Sequence, residues 1–368
     1  MKKKILSLAL AFTMLTGCGE KENQKSQEMQ YFSALSTVYN DGLVYNFGLD
    51  SPTMYLDLNS LEKSALCAMP NCTHTIGSCL AQMIGENPVF YDEYIYYFMS
   101  DYGYNEVREG HQFYMKSTLC RAKLDSSETE KIAEFTDCVP AENGGMVLDG
   151  KTLWFVGDDK NTIPENVYDS TWIPSSDTQG SHFICSIDLE TGEYKNFGSI
   201  TDEDKQYEFR SMCNNANIRG IYEDKLVLDY QYAFKNMEEY NNGADNPTDC
   251  VKILSFEYDT KTETLTQSDR LPPFYAENDI YIGFDYSTGC ISTIYNGEEH
   301  SFESDIYPHS YSNGKLFCFD KWVDLSDYSI HTLSEELCDS VKIIYHNGRY
   351  VSLNAKGQIT EFTEEELI

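Results

Sequence analysis

Basic residues are scarce in this chain. Twenty-seven lysines and arginines stand against 60 aspartates and glutamates, for a formal net charge of −33. A surface of that sign repels polyphosphate backbones, which excludes nucleic acid as a partner. Long apolar runs are few, and beyond residues 5–15 none approaches the length of a membrane span. Segments of helical period are missing from the body of the chain. There is no Gly-x-Ser-x-Gly elbow, no His-Glu-x-x-His pair and no glycine-rich phosphate loop ahead of a helix. What is present is aromatic and strand-forming. The 28 tyrosines and 19 phenylalanines belong to a folded, β-rich composition rather than a disordered one.

The N-terminus carries the most specific signal. Lys2, Lys3 and Lys4 form a positive region, Ile5 to Leu15 a short apolar one, and Leu15-Thr16-Gly17-Cys18 follows at once. This resembles the bacterial lipobox, in which the Cys18 sulfur would receive diacylglycerol before cleavage. The resemblance implies a signal peptide over 1–17, removed from the mature chain, and a membrane anchor at Cys18 that holds the protein outside the cytoplasm. Residues 18–30, EKENQKSQEMQ after Cys18-Gly19, carry one apolar side chain, Met29, and read as a flexible tether. Residues 31–368 are then a single extracytoplasmic domain, expected to be monomeric.

Within that domain one unit recurs. His182 to Ile200 reads as strand, turn and strand, with Glu190-Thr191-Gly192-Glu193 at the turn and Gly192 free to take positive φ. Asp188-Leu189-Glu190 is echoed by Asp57-Leu58-Asn59, Lys123-Leu124-Asp125, Glu257-Tyr258-Asp259 and Asp324-Leu325-Ser326. Positions 58, 124, 189, 258 and 325 lie 65 to 69 residues apart. Shorter hairpins fall between them, turning at Asp41-Gly42, Asp92-Glu93, Asp149-Gly150, Glu223-Asp224 and Asn347-Gly348. The pattern predicts an all-β fold, a β-propeller of about seven (six to eight) four-stranded blades, with units beginning near 33, 88, 146, 217, 279, 308 and 340. A sandwich pair or an open solenoid is the alternative.

Asp41-Gly42-Leu43-Val44-Tyr45, Asp92-Glu93-Tyr94-Ile95-Tyr96-Tyr97 and Asp188-Leu189-Glu190-Thr191-Gly192-Glu193 together resemble a propeller group of unknown function. It is found in lipoproteins of low-GC Gram-positive bacteria and is distantly similar to the low-density-lipoprotein-receptor propeller. The resemblance spans roughly Tyr31 to Phe362. It implies the fold and the extracytoplasmic address and brings no catalytic residues.

In a propeller whose strands run A to D outward from the axis, B–C loops and D–A crossovers share a face. The B–C segments Ser100–Gln112, Asp158–Ser181 and Tyr232–Asp249 read as long loops. Tyr102, Tyr104, Tyr168, Trp172 and Tyr240 among their polar residues suit a glycan, peptide or protein ligand. The crossover from blade 1 to blade 2 holds Cys67, Cys72, His74 and Cys79. Three thiols and an imidazole at this spacing could wrap one tetrahedral ion, a structural zinc. A disulfide between two of the thiols is the alternative outside the cytoplasm. Cys120 and Cys185 fall on equivalent strand positions and read as small core side chains.

The remaining histidines, His111, His182, His300, His309, His331 and His346, are scattered singly and read as structural or exposed. The chain thus reads as a lipid-anchored binding or scaffolding propeller, more a binder than an enzyme. The alternative is a propeller hydrolase or lyase acting on cell-surface glycan, which would need acids or histidines converging at the axis.

Overall fold

A computed structural model describes residues 30–32, 36–39, 41–46, 51–67, 71–74, 79–84, 88–107, 110–123, 128–141, 144–159, 182–200, 215–233, 251–285, 288–303 and 307–367. Cys18 and the tether up to residue 29 lie outside them. Seven antiparallel units follow one another along the chain. In blade 1, strands A to D are Ser36–Tyr39, Gly42–Tyr45, Met54–Asp57 and Lys63–Ala65. Blade 2 comprises Val89–Tyr91, Tyr94–Val107, Gly110–Lys123 and Thr129–Phe135. Blade 3 comprises Met146–Asp149, Thr152–Asp158, His182–Asp188 and Tyr194–Ser199. Blade 4 comprises Asn215–Tyr222, Lys225–Ala233, Val251–Asp259 and Thr264–Ser268. Blade 5 comprises Pro273–Asn278, Ile280–Asp285, Cys290–Tyr295 and Glu298–Glu303. Blade 6 comprises Pro308–Ser312, Lys315–Cys318, Lys321–Asp324 and Ile330–Thr332. Blade 7 keeps three strands, Ser340–His346, Arg349–Asn354 and Ile359–Phe362, where four were expected. A 3₁₀ turn, Glu364–Leu367, follows it, and the Trp322 indole N–H donates to the Leu367 carbonyl at 3.2 Å.

The apolar cores close the ring. Each is shared between neighbouring blades: 1, 2 and 3 through Val44, Leu119 and Phe155, 3 and 4 through Trp154 and Leu228, and 4 and 5 through Val227 and Tyr281. Ile282 and Leu316 join blades 5 and 6, and Phe317 and Tyr350 join 6 and 7. Leu43 and Leu56 of blade 1 meet Val351 and Leu353 of blade 7. Polar contacts reinforce that last seam. Arg349 Nη2 donates to the carbonyls of Leu58 and Asn59 at 2.7 and 2.8 Å, and Lys63 Nζ donates to that of Gly357 at 2.7 Å. A sandwich or open solenoid has no such seam between its first and last units. The molecule is a seven-bladed β-propeller.

The repeated motif has a local cause. In Asp57, Asp188 and Asp259 one carboxylate oxygen accepts two backbone N–H groups, from the residues two and three positions on. These Asx turns fix the bend between strands C and D. Burial works to raise the Asp188 carboxyl, but the Thr191 and Glu190 N–H groups and Lys151 hold it below the ordinary carboxylate range. The residue after the aspartate is buried at Leu58, Leu189 and Leu325, whereas in blade 4 the buried residue, Tyr258, precedes Asp259. The N–H groups of Leu58, Leu189 and Leu325 each donate back to the A–B turn, at Asp41, Lys151 and Gly314. Burying each leucine contributes about 1.5–3 kcal/mol.

Two departures from expectation shape the faces. Ser100–Gln112 is not a loop. Strand B of blade 2 runs on to Val107 and strand C restarts at Gly110, with Tyr102 paired to Met115 and Tyr104 to Phe113. Strand D reaches only as far as Ser117, so Ser100–Val107 and its partner form a two-stranded arm about 25 Å long beyond the blade. Polar Ser, Asp and Asn punctuate this segment and read as loop, yet its residues pair in unbroken register with those of strand C. The second departure is a strand at the axis. Gln30–Phe32 pairs antiparallel with the free inner edge of strand A of blade 3, Gln30 opposite Leu148 and Phe32 opposite Met146.

Candidate metal centre and binding face

Cys67 leaves strand D of blade 1 held by its own backbone, its N–H donating to Ala65 at 2.7 Å. Leu66 N–H donates to Thr53, and Thr53 N–H to Ala81, so the crossover is laced onto blade 1 at both ends. Asn71 and His74 take positive φ, 59° and 51°, and these bends turn the chain back on itself. Cys79 stands at the N-cap of a single helical turn, Leu80–Met83, buried against Leu80, Ala81 and Ile84. The four ligand atoms of Cys67, Cys72, His74 and Cys79 all lie within 4.8 Å of one another. His74 Nδ1 is 3.5 Å from Cys79 Sγ. Two ligands of a tetrahedral zinc, with bonds of about 2.0 Å to nitrogen and 2.3 Å to sulfur, stand about 3.6 Å apart. His74 N–H also points at Cys72 Sγ from 3.5 Å.

The crossover thus brings together every residue expected of it. Three soft sulfurs and one imidazole gathered this closely suit zinc among divalent metals. Four protein ligands leave no open position, so such a site holds structure and does no chemistry. None of the nine described cysteines is disulfide-bonded. Cys120 and Cys185 sit in the core as expected. Cys185 packs 3.7 Å from Cys138 Sγ and 3.5 Å from the Tyr194 hydroxyl, and burial pushes its thiol far above the usual range.

Of the aromatic residues expected to bind ligand, Tyr102 and Tyr104 lie on the arm of blade 2. Tyr168, Trp172 and Tyr240 lie outside the described residues. Two polar groups on the same face escape a reading of single histidines. His182 opens strand C of blade 3, and its Nδ1 lies 2.6 Å from Asp158 Oδ1 at the end of strand B. The ring is 2% exposed, and its Nε2 has no partner among the described residues. His309 opens strand A of blade 6, with both ring nitrogens buried and outside hydrogen-bond geometry. Burial drops its pKa to about 4, with the Lys342 charge pushing the same way and the Cys318 carbonyl opposing. The signal that finds these residues is their place in the repeat, at the crossover ends of strands, rather than any motif.

No family model matches the chain, and no curated protein matches it. Several solved structures are loosely similar. A computationally designed protein is 10% identical with a TM-score of 0.40, covering 92% of this chain and 98% of its own. An oligogalacturonate lyase in complex with manganese is 9% identical with a TM-score of 0.32, covering 90% of this chain and 77% of its own. A lignostilbene dioxygenase from Pseudomonas brassicacearum is 9% identical with a TM-score of 0.32, covering 93% and 72%. These likenesses are too loose to carry function, and the propeller assignment rests on the strand pairing and the closed ring of interblade cores.

Proposed function

We propose that this chain is a lipid-anchored, extracytoplasmic binding or scaffolding propeller that presents its crossover face away from the membrane. Zinc held by Cys67, Cys72, His74 and Cys79 stiffens that face. The observation that supports this reading is the direction of Gln30–Phe32. Strand A of each blade runs from the crossover face to the face of the A–B turns. The axial strand runs against its partner, so Gln30 lies toward the turn face and Phe32 toward the crossover face. Gln30, the first described residue, thus stands at the turn-face end of the axial strand. Cys18 lies twelve residues earlier, a reach of at most about 40 Å. A lipid on Cys18 would set the turn face toward the bilayer. No helix among the described residues is long and apolar enough to cross a membrane.

Membrane fractionation tests the anchor. The wild-type chain is expected in the membrane fraction, resistant to high salt and released by detergent. Cys18→Ser is expected to lose at least nine-tenths of its membrane association. A wild-type chain that salt alone releases would refute the anchor.

A further inference from the structure

We propose that the crossover-face end of the axial channel, between blades 6 and 7, binds a small carboxylate ligand through Lys342 and His309, with Tyr307 and Phe319 beside it. This names a ligand class for the binding face proposed above and rests on that reading.

The inner strands of blades 6 and 7 lie side by side. Ser310 Oγ donates to the Ile343 carbonyl at 3.0 Å and accepts the Ile343 N–H at 3.2 Å. His309 and Lys342 directly precede these two residues, so they stand at the same height on neighbouring strands. Both strands are bulged there, between Pro308 and Ser310 and between Ser340 and Lys342. Bulges re-aim side chains and gather beside binding sites. Both residues belong to the first half of their strands, which places them near the crossover face. Tyr307 lies on the crossover into blade 6, and Phe319 on its B–C turn. Their rings are 48% and 59% exposed, although both are large and apolar. The Phe319 ring sits 5.8 Å from that of His309.

The unusual member is Lys342. Acidic residues outnumber basic ones by more than two to one, yet no carboxylate pairs with Lys342 and no hydrogen bond reaches it among the described residues. Lys315, in the next strand of blade 6, is more deeply buried and carries two carboxylate partners, Asp324 at 3.3 Å and Glu364 at 2.8 Å. Burial alone acts on Lys342 and lowers its pKa. A partly buried cation left without an anion, beside a buried imidazole whose ring nitrogens reach no partner at full hydrogen-bond geometry among the described residues, is incomplete as structure. A carboxylate would accept from the Lys342 ammonium and from an N–H of His309, and the exposed rings offer an apolar surface to the rest of the ligand.

Titration calorimetry on the mature domain tests this with three probes: glucuronate, glucose and inorganic phosphate. Glucuronate and glucose share the pyranose ring and differ in the carboxylate. Glucuronate is expected to bind in the wild type and at least tenfold more weakly in Lys342→Met and in His309→Gln, while glucose gives no heat. Lys342→Met is also expected to keep or raise the thermal midpoint, since it removes an unpaired, partly buried charge. A lower midpoint would assign Lys342 to the scaffold and overturn the site. Phosphate bound as tightly as glucuronate would overturn the carboxylate assignment. Glucuronate binding unchanged in both variants would overturn the site and leave the binding face standing, whereas failure of every probe and of a glycan and peptide array would remove both.

Discussion

Mature protein purified without chelator is expected to carry one zinc ion per chain, and Cys72→Ser essentially none. Cys67, Cys72, His74 and Cys79 come from a stretch of thirteen residues, yet their ligand atoms gather within 4.8 Å. Without an ion, three sulfurs gain little from such closeness. With one, the crossover gains four strong bonds where the chain otherwise has a single helical turn. A ligand present at a thousandfold excess over its dissociation constant stabilises the folded state by about 4 kcal/mol. Chelation is therefore expected to lower the unfolding free energy by about that amount, and Cys72→Ser to do the same without chelator. The loosening should begin in blade 1, because Thr53 and Leu66 hang on the crossover. Thiol alkylation without reductant separates the other reading. Two of the three thiols blocked, with mass lower by two hydrogens and no metal, would replace the zinc site by a disulfide.

Gly220→Ala is expected to destabilise the propeller by about 3 kcal/mol or more, from backbone strain and overpacking together. Blades 4 and 5 are joined by parallel pairing of their inner strands, Gly220 opposite Ala276. Gly220 takes a φ of +146°, and a Cβ there would stand 1.8 Å from the Ala276 carbonyl oxygen. That oxygen is backbone inside a ladder, so it cannot swing aside. Gly150→Ala is the control. Its φ is +59° and nothing lies within 4 Å of a Cβ, so only left-handed strain of about 1–2 kcal/mol applies. Chemical denaturation of the two variants gives the comparison. Equal costs would mean that the two inner strands do not approach as described.

The propeller was legible because its signals are local. Asp57, Asp188 and Asp259 bind N–H groups two and three residues on, so the C–D turn is written in consecutive letters. Units expected near 33, 88, 146, 217, 279, 308 and 340 begin at 36, 89, 146, 215, 273, 308 and 340. Blade 5 starts earlier than expected, at Pro273. Proline is tolerated at the first residue of a strand, and Pro273 occupies that place. The metal cluster was legible for the same reason, since all four ligands fall within one crossover. The axial strand and the His309–Lys342 pair were not legible. Gln30 meets Leu148 across more than a hundred residues, and His309 stands beside Lys342 only because Ser310 reaches Ile343, 33 residues on. Such neighbours arise from ring closure, which no local pattern encodes.

A lipid on Cys18 is expected to leave the crossover face pointing away from the membrane. Epitope tags inserted at the Asp149-Gly150 turn and at the tip between Val107 and Gly110 test it most directly. Antibody fragments would be titrated against lipidated protein in vesicles and against the same protein released in detergent. The hairpin-tip tag is expected to bind equally in both states, and the Gly150 tag at least tenfold more weakly in vesicles. A Gly150 tag as accessible as the hairpin tip, or the reverse order, would contradict the account.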